Sequence, residues 1–282
     1  MGPSGAFVSN LISVSSAPIA KLGNKKYYDL PGTLEVMKRV YPESVVDGFE
    51  LQLEPEWDSE NPPLTDAHFA DWGKTPKYTN KDILALVKRE RLPILSVHAS
   101  RDVGNYLCSN REQDLEKGER LIRDSLSLAD KLEANVCAFH LWDTWNTEFD
   151  VNHLERVFSD IADRFPKVKA SVENIPTSLG GHTPYSLAKS FEYVTLDLKW
   201  ACMYKELDAF EQIIDKVANI HLHARLQKDK WTLDHSTISF YQAQETIKNK
   251  WKYPGLLTVE PEGLKDSSSL ESFLKAMRSL RT

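Results

Sequence analysis

A single (β/α)8 TIM barrel is the fold class this sequence predicts, on three observations. Four short β-branched or leucine-rich runs, at 169–174, 194–199, 218–223 and 256–260, each carry one side chain able to bind a metal at or near their carboxyl end: Glu173, Asp197, His221 and Glu260. Buried parallel strands read as such apolar runs, and barrel strands deliver their functional groups at their carboxyl ends. A helix-like segment separates each run from the next. Finally, 282 residues with no linker or shift in composition suit one barrel domain over 1–282.

Taken in order, residues 6–15 read as strand one, followed by a loop to Asp29. Leu30-Pro31-Gly32-Thr33 opens a helix to about Val40, which stops before Pro42 because the residue preceding proline avoids helical geometry. Residues 45–53 form strand two, where a side-chain period of two puts Glu50 and Gln52 on one face. A long loop, 54–78, has a length usually associated with function or disorder. Asn80 is the predicted cap of a helix to about Arg89, and 93–99 is strand three with His98 near its end. Residues 113–132 space Leu115, Leu121, Ile122, Leu126 and Ala129 as one helical face. Strand four is 135–141, with His140, and helix four is 151–165, closed by Pro166. The four runs then alternate with helices near 186–190, 206–217, 241–251 and 267–279, giving eight strands each followed by a helix.

A formal charge of −6 gives no electrostatic reason to expect nucleic acid or an anionic membrane as partner. No run approaches bilayer length. Residues 1–20 lack a basic start and their apolar stretch is broken by serines and Asn10, so first strand is preferred to signal peptide. Cys108, Cys137 and Cys202 show no zinc-finger or CxxC spacing, and their odd number predicts a reducing, cytoplasmic setting.

The chemistry follows from parity and charge. Glu173, Asp197, His221 and Glu260 are predicted to point into the barrel, leaving Val172 and Val259 to face the helices. Three carboxylates gathered at one mouth repel one another, which raised pKa values or a bound cation would relieve. Three carboxylates and one neutral imidazole suit one divalent ion, Mn2+ or Mg2+ by their oxygen content, with Co2+ or Zn2+ compatible with the histidine. A single acidic residue at a strand end is more often a cap or half of an ion pair, but four at matching positions favour the metal.

These residues resemble the xylose isomerase-like barrel superfamily: the Glu173-Asn174 pair, Leu196-Asp197 at a strand end, His221 and its second polar neighbour, Glu260, and Ser178-Leu179-Gly180-Gly181. Its members include sugar epimerases and isomerases, sugar-acid and cyclitol dehydratases, and apurinic-site endonucleases. The resemblance implies that the quartet binds one metal and that Glu173 and Glu260 move the proton. The endonuclease branch holds three zinc ions, and His98 and His140 match two of its ligands. Trp200, however, stands where that branch has a histidine, and Asp234-His235 departs from its Asp-x-His spacing. One metal is therefore expected.

The expected activity is sugar isomerisation or epimerisation through proton transfer beside a carbonyl, with a dehydratase or lyase of a keto-sugar, cyclitol or sugar acid as alternative. A phosphodiesterase, or a barrel that binds sugar without turnover, ranks lower. Substrate-contacting candidates are Glu50, His98, His140, Trp142, Lys199, Trp200, His223 and Arg225. Lys199, His223 and Arg225 are assigned inward parity, and Lys199 and Arg225 mildly favour the lyase. Trp57, Trp142, Trp145, Trp200 and Trp231 fall in or near mouth loops, where rings stack on sugars or support a homodimer. Glu262, beyond Pro261, is read as loop.

Overall fold

The computed structural model describes residues 10–60, 62–64, 66–265 and 268–281. Residues 6–9 of the predicted first strand and Ser267 of the predicted last helix lie outside them.

Eight parallel strands close into a barrel. They are β1 (Ile12–Ser15), β2 (Gly48–Gln52), β3 (Ile94–His98), β4 (Val136–Phe139), β5 (Lys169–Glu173), β6 (Tyr193–Asp197), β7 (Val217–Gln227) and, after a short β8 (Lys230–Thr232), β9 (Leu256–Glu262). Neighbours follow chain order from β1 to β7; β7 pairs with β9, and β9 pairs with β1 to complete the ring. β8 runs antiparallel to the end of β7 as a hairpin outside the parallel set. The connecting helices include α1 (Ser16–Ile19), α2 (Leu30–Val40), α3 (Asp66–Trp72), α4 (Asn80–Glu90), α5 (Val103–Leu107), α6 (Glu112–Lys131), α7 (Val151–Ala162), α8 (Pro184–Ala188), α9 (Leu198–Met203), α10 (Phe240–Glu245) and α11 (Leu270–Arg281).

Strand alternation divides the core. Outward-facing Val14, Phe49, Val97, Phe139, Val172, Leu196, Ile220 and Val259 are sealed between sheet and helices. Each such burial is worth about 1.5–3 kcal/mol against exposure. The inward positions beneath the mouth are instead small and polar. Ser13 Oγ meets Thr258 Oγ1 at 2.7 Å, Thr258 donates to Asn219 Oδ1 at 2.9 Å, and Ser171 Oγ meets Thr195 Oγ1 at 2.6 Å.

Several expected boundaries move, each through local hydrogen bonding. Thr79, not Asn80, caps α4, in a capping box with Asp82. The run at 194–199 stops being strand at Asp197, whose Oδ1 accepts the Trp200 N–H at 2.9 Å and opens α9. Lys199 therefore has no strand parity; it lies in a helix. The expected helix at 206–217 is a 3-10 segment, Leu207–Lys216, kinked at Ile213. β7 overruns His223 to Gln227, and β9 continues through Pro261 to Glu262, so Glu262 belongs to a strand rather than a loop. Among the described residues, no helix is long and apolar enough to cross a membrane.

Candidate metal centre

The site grows from side chains that the inward parity of β2, β3, β5, β6, β7 and β9 brings to one mouth. Asn174, just after β5, holds the Asp197 peptide from both sides. Its Oδ1 accepts the Asp197 N–H at 2.6 Å and its Nδ2 donates to the Asp197 carbonyl at 3.3 Å. The Glu173-Asn174 pair thus supplies one rim carboxylate and fixes the backbone of the next.

His221 is fully buried on β7. Its Nε2 lies 3.1 Å from Glu50 Oε2, a carboxylate that also accepts from Ser96 Oγ at 2.9 Å and Asn219 Nδ2 at 3.4 Å. With the Nε2 hydrogen given to Glu50, Nδ1 keeps its lone pair. That atom is buried without a hydrogen bond, 3.3 Å from Glu173 Oε2 and 3.6 Å from Glu260 Oε2. A lone pair held against two carboxylates needs a positive charge between them, either a proton or a metal ion. A carboxylate behind an imidazole whose other nitrogen faces a ligand set is the usual support of a metal-binding histidine. The residues present therefore fit a divalent ion. Three overlapping sets have ligand atoms within 4.8 Å of one another: His98, Glu173 and His221; Glu50, His221 and Glu260; and Asp197, His223 and Glu260. All four members of the predicted quartet occur among these sets, but no single set contains all four, and Asp197 shares a set with Glu260 and not with Glu173 or His221.

The protonation preferences express the same crowding. Burial opposes charge on His221, but Glu50, Glu260 and Glu173 outweigh it and hold the imidazole well above its usual range. Burial likewise opposes charge on Glu173, yet His140 and His221 keep it well below the usual carboxylate range. Glu260 goes the other way: burial raises it and its two histidine neighbours do not compensate. His98 Nδ1 donates to Ala99 O at 2.8 Å, and its Nε2 meets Glu173 Oε2 at 3.2 Å. Burial lowers its pKa, but the bond to Glu173 overrides this and lifts it to about 9. His140 lies 3.4 Å from the same oxygen and is pushed down by burial. On the far side, His223 faces Asp197 Oδ2 at 2.6 Å and Glu262 Oε1 at 3.1 Å. The His223 bond, with help from Lys199, holds Glu262 near a pKa of about 2.

A cavity of 740 Å3 opens above this rim. Glu173, Asp197, Glu260, His98, His140, His223, Trp200 and Arg225 reach its wall. Other predicted contacts are placed elsewhere. Glu50 lies beneath the rim, fully buried, and bears on His221 rather than on the cavity. Trp142 is 2% exposed with its indole N–H given to Pro176 O at 2.9 Å, so it is core, not wall. Lys199 turns onto Glu262, as α9 directs it. Trp57 and Trp231 are buried and bonded to backbone carbonyls, while Trp145 is exposed. The sequence reading passed over Arg101, Tyr27 and Glu54, which also line the cavity. Arg101 stands three residues after His98, as Trp200 does after Asp197, a spacing that could have singled it out. A second cavity, of 290 Å3, lies among residues 53–63, α4 and α6. Its buried Lys117 is spent on Tyr106 and Asp58, and none of the metal-capable sets reaches it.

Fold and rim together define a parallel barrel whose mouth carries a buried imidazole–carboxylate cluster able to hold a metal. Solved structures similar to it over nearly the whole chain include sugar epimerases, a sugar phosphate isomerase/epimerase and a xylose isomerase domain protein. D-allulose 3-epimerase from Methylomonas sp. superposes with a TM-score of 0.64 at 12% identity, over 98% of this chain and 100% of that one. 3-Keto-D-glucoside 4-epimerase from E. coli gives 0.61 at 12% identity, over 96% and 99%. A sugar phosphate isomerase/epimerase from Parabacteroides distasonis gives 0.60 at 14% identity, over 100% and 98%. No family model and no curated protein matches the sequence significantly.

Proposed function

We propose that this chain is a divalent-metal-dependent isomerase or epimerase of a sugar or sugar derivative. The observation that carries the reading is His221, with Glu50 behind one nitrogen and the other held bare between Glu173 and Glu260. Glu173, Asp197, His221 and Glu260 would hold the ion, and their oxygen-rich set suits Mn2+ or Mg2+. Bound there, it would polarise a substrate carbonyl and stabilise the enediolate formed on proton loss.

The two glutamates differ in freedom. Glu173 is nearly closed off, with three imidazoles within 3.4 Å of one oxygen. Glu260 keeps 15% of its side chain open and no histidine closer than 3.6 Å. Glu260 is thus the group best placed to take and keep the carbon-bound proton, while a different proton, passed to Glu173 from the His98 imidazolium 3.2 Å away, is delivered to the other face. Delivery to the same carbon gives an epimer, delivery to the next an aldose–ketose isomer.

The lyase reading drew on Lys199 and Arg225 as spare cations, but Lys199 is paired with Glu262 and Arg225 with Asp234. The phosphodiesterase reading gains His98 and His140 beside Glu173, yet lacks a ligand at Trp200. Protein purified without chelator is expected to carry about one equivalent of divalent metal. It should also exchange a carbon-bound proton of a ketose with D2O, and EDTA should stop the exchange. Absence of both metal and exchange would overturn the proposal.

A further inference from the structure

From the ion pairing of the cavity wall we infer that the site takes an uncharged polyhydroxylated sugar or glycoside, not a phosphorylated or carboxylated one. This rests on the isomerase or epimerase reading and narrows its substrate class. Among the described residues, three permanent cations reach the wall: Lys21, Arg101 and Arg225. Arg101 Nη2 donates to the buried Glu54 Oε2 at 3.2 Å. Arg225 Nε donates to Asp234 Oδ2 at 2.6 Å, and its Nη2 stands 3.9 Å from Glu262 Oε2. Lys21 is exposed at the rim, where water solvates its ammonium. The wall histidines are committed too, since His98 and His140 face Glu173 and His223 faces Asp197 and Glu262.

Sites built for phosphate or carboxylate present guanidinium forks or helix N-termini to the anion. Here an incoming anion can accept from the N–H groups of Arg101 or Arg225 only beside Glu54, Asp234 or Glu262, whose negative charge repels it. A hydroxyl group both donates and accepts. It can give its hydrogen to Glu54 or Glu262 and receive one from Arg101 or Arg225 with the pairs left in place. Trp200 adds a ring on which the apolar face of a sugar can rest. The 740 Å3 of the cavity leaves room beyond a single sugar ring.

The test uses the Mg2+-loaded protein. Calorimetric binding of D-fructose, D-tagatose and D-allulose is compared with that of their 6-phosphates and of 2-ketogluconate, alongside proton exchange in D2O. The uncharged sugars are expected to bind at least ~10-fold more tightly than the charged ones. In Glu54→Gln, which relieves Arg101 of a carboxylate, that gap should narrow. A charged sugar binding as tightly as its neutral partner overturns the inference, whatever is turned over. So does the absence of binding by every neutral sugar, or a gap unchanged in the variant. Neutral sugars that bind without proton exchange support the inference and defeat the isomerase reading instead.

Discussion

Two neighbouring layers of the barrel interior are built from opposite chemistry. The lower one, Ser13, Ser171, Thr195, Asn219 and Thr258, is made of hydroxyls and an amide paired with one another at 2.6–2.9 Å, with Asn219 Nδ2 also reaching Glu50 at 3.4 Å. The rim directly above gathers glutamates, an aspartate and histidines, and leaves His221 Nδ1 and Glu50 Oε1 buried without hydrogen bonds. A polar layer whose hydroxyls are already paired costs little and calls for no ion. One left open stores an unmet demand, and here the demand is for positive charge. The difference separates what keeps the barrel standing from what prepares it for chemistry.

Substitutions in each layer should therefore have separable effects. The largest is expected from Glu260→Gln at saturating metal, where loss of a general base should lower kcat by ~10^2–10^4-fold with thermal stability retained. Steady-state kinetics and a melting curve would check both halves. Next comes Glu50→Gln, which touches no substrate but weakens the support of His221. Metal affinity should fall by ~10–100-fold, read by calorimetric titration, while the fold persists. Unchanged affinity would mean that His221 is not a ligand. The smallest effect is expected in the paired layer. Ser171→Ala leaves Thr195 Oγ1 without its partner and should cost ~1–3 kcal/mol in denaturant unfolding, with metal stoichiometry unchanged. Loss of metal in that variant would show the two layers to be one unit.

The barrel was legible because its strands are buried on both faces and so stand out as apolar runs, and because a period of two carries Glu173, His221 and Glu260 to one side. What escaped depends on contacts distant in sequence or on local capping. Lys199 looked inward only while Asp197 was taken as mid-strand; the capping bond to Trp200 N–H turns the chain into a helix there. Trp142 looked like a cavity wall because it follows His140, yet its ring finds Pro176 O and sinks into the core. Arg225 looked like an available cation, and only the hairpin of β7 with β8, which leads into Asp234, shows that it is already occupied. Glu50 stood out as a substrate contact, and no sequence pattern could tell that it meets a residue 171 positions away.

That last contact spans the lumen from the second strand to the seventh, and it has a consequence for how the chain matures. Until the ring has closed, nothing obliges His221 to carry its hydrogen on the outer nitrogen, and the inner one is not committed to an ion. Tight metal capture is then a late event in folding. The rate at which the chain acquires it should follow the docking of its amino-terminal quarter, not the local order of the strand on which the histidine sits.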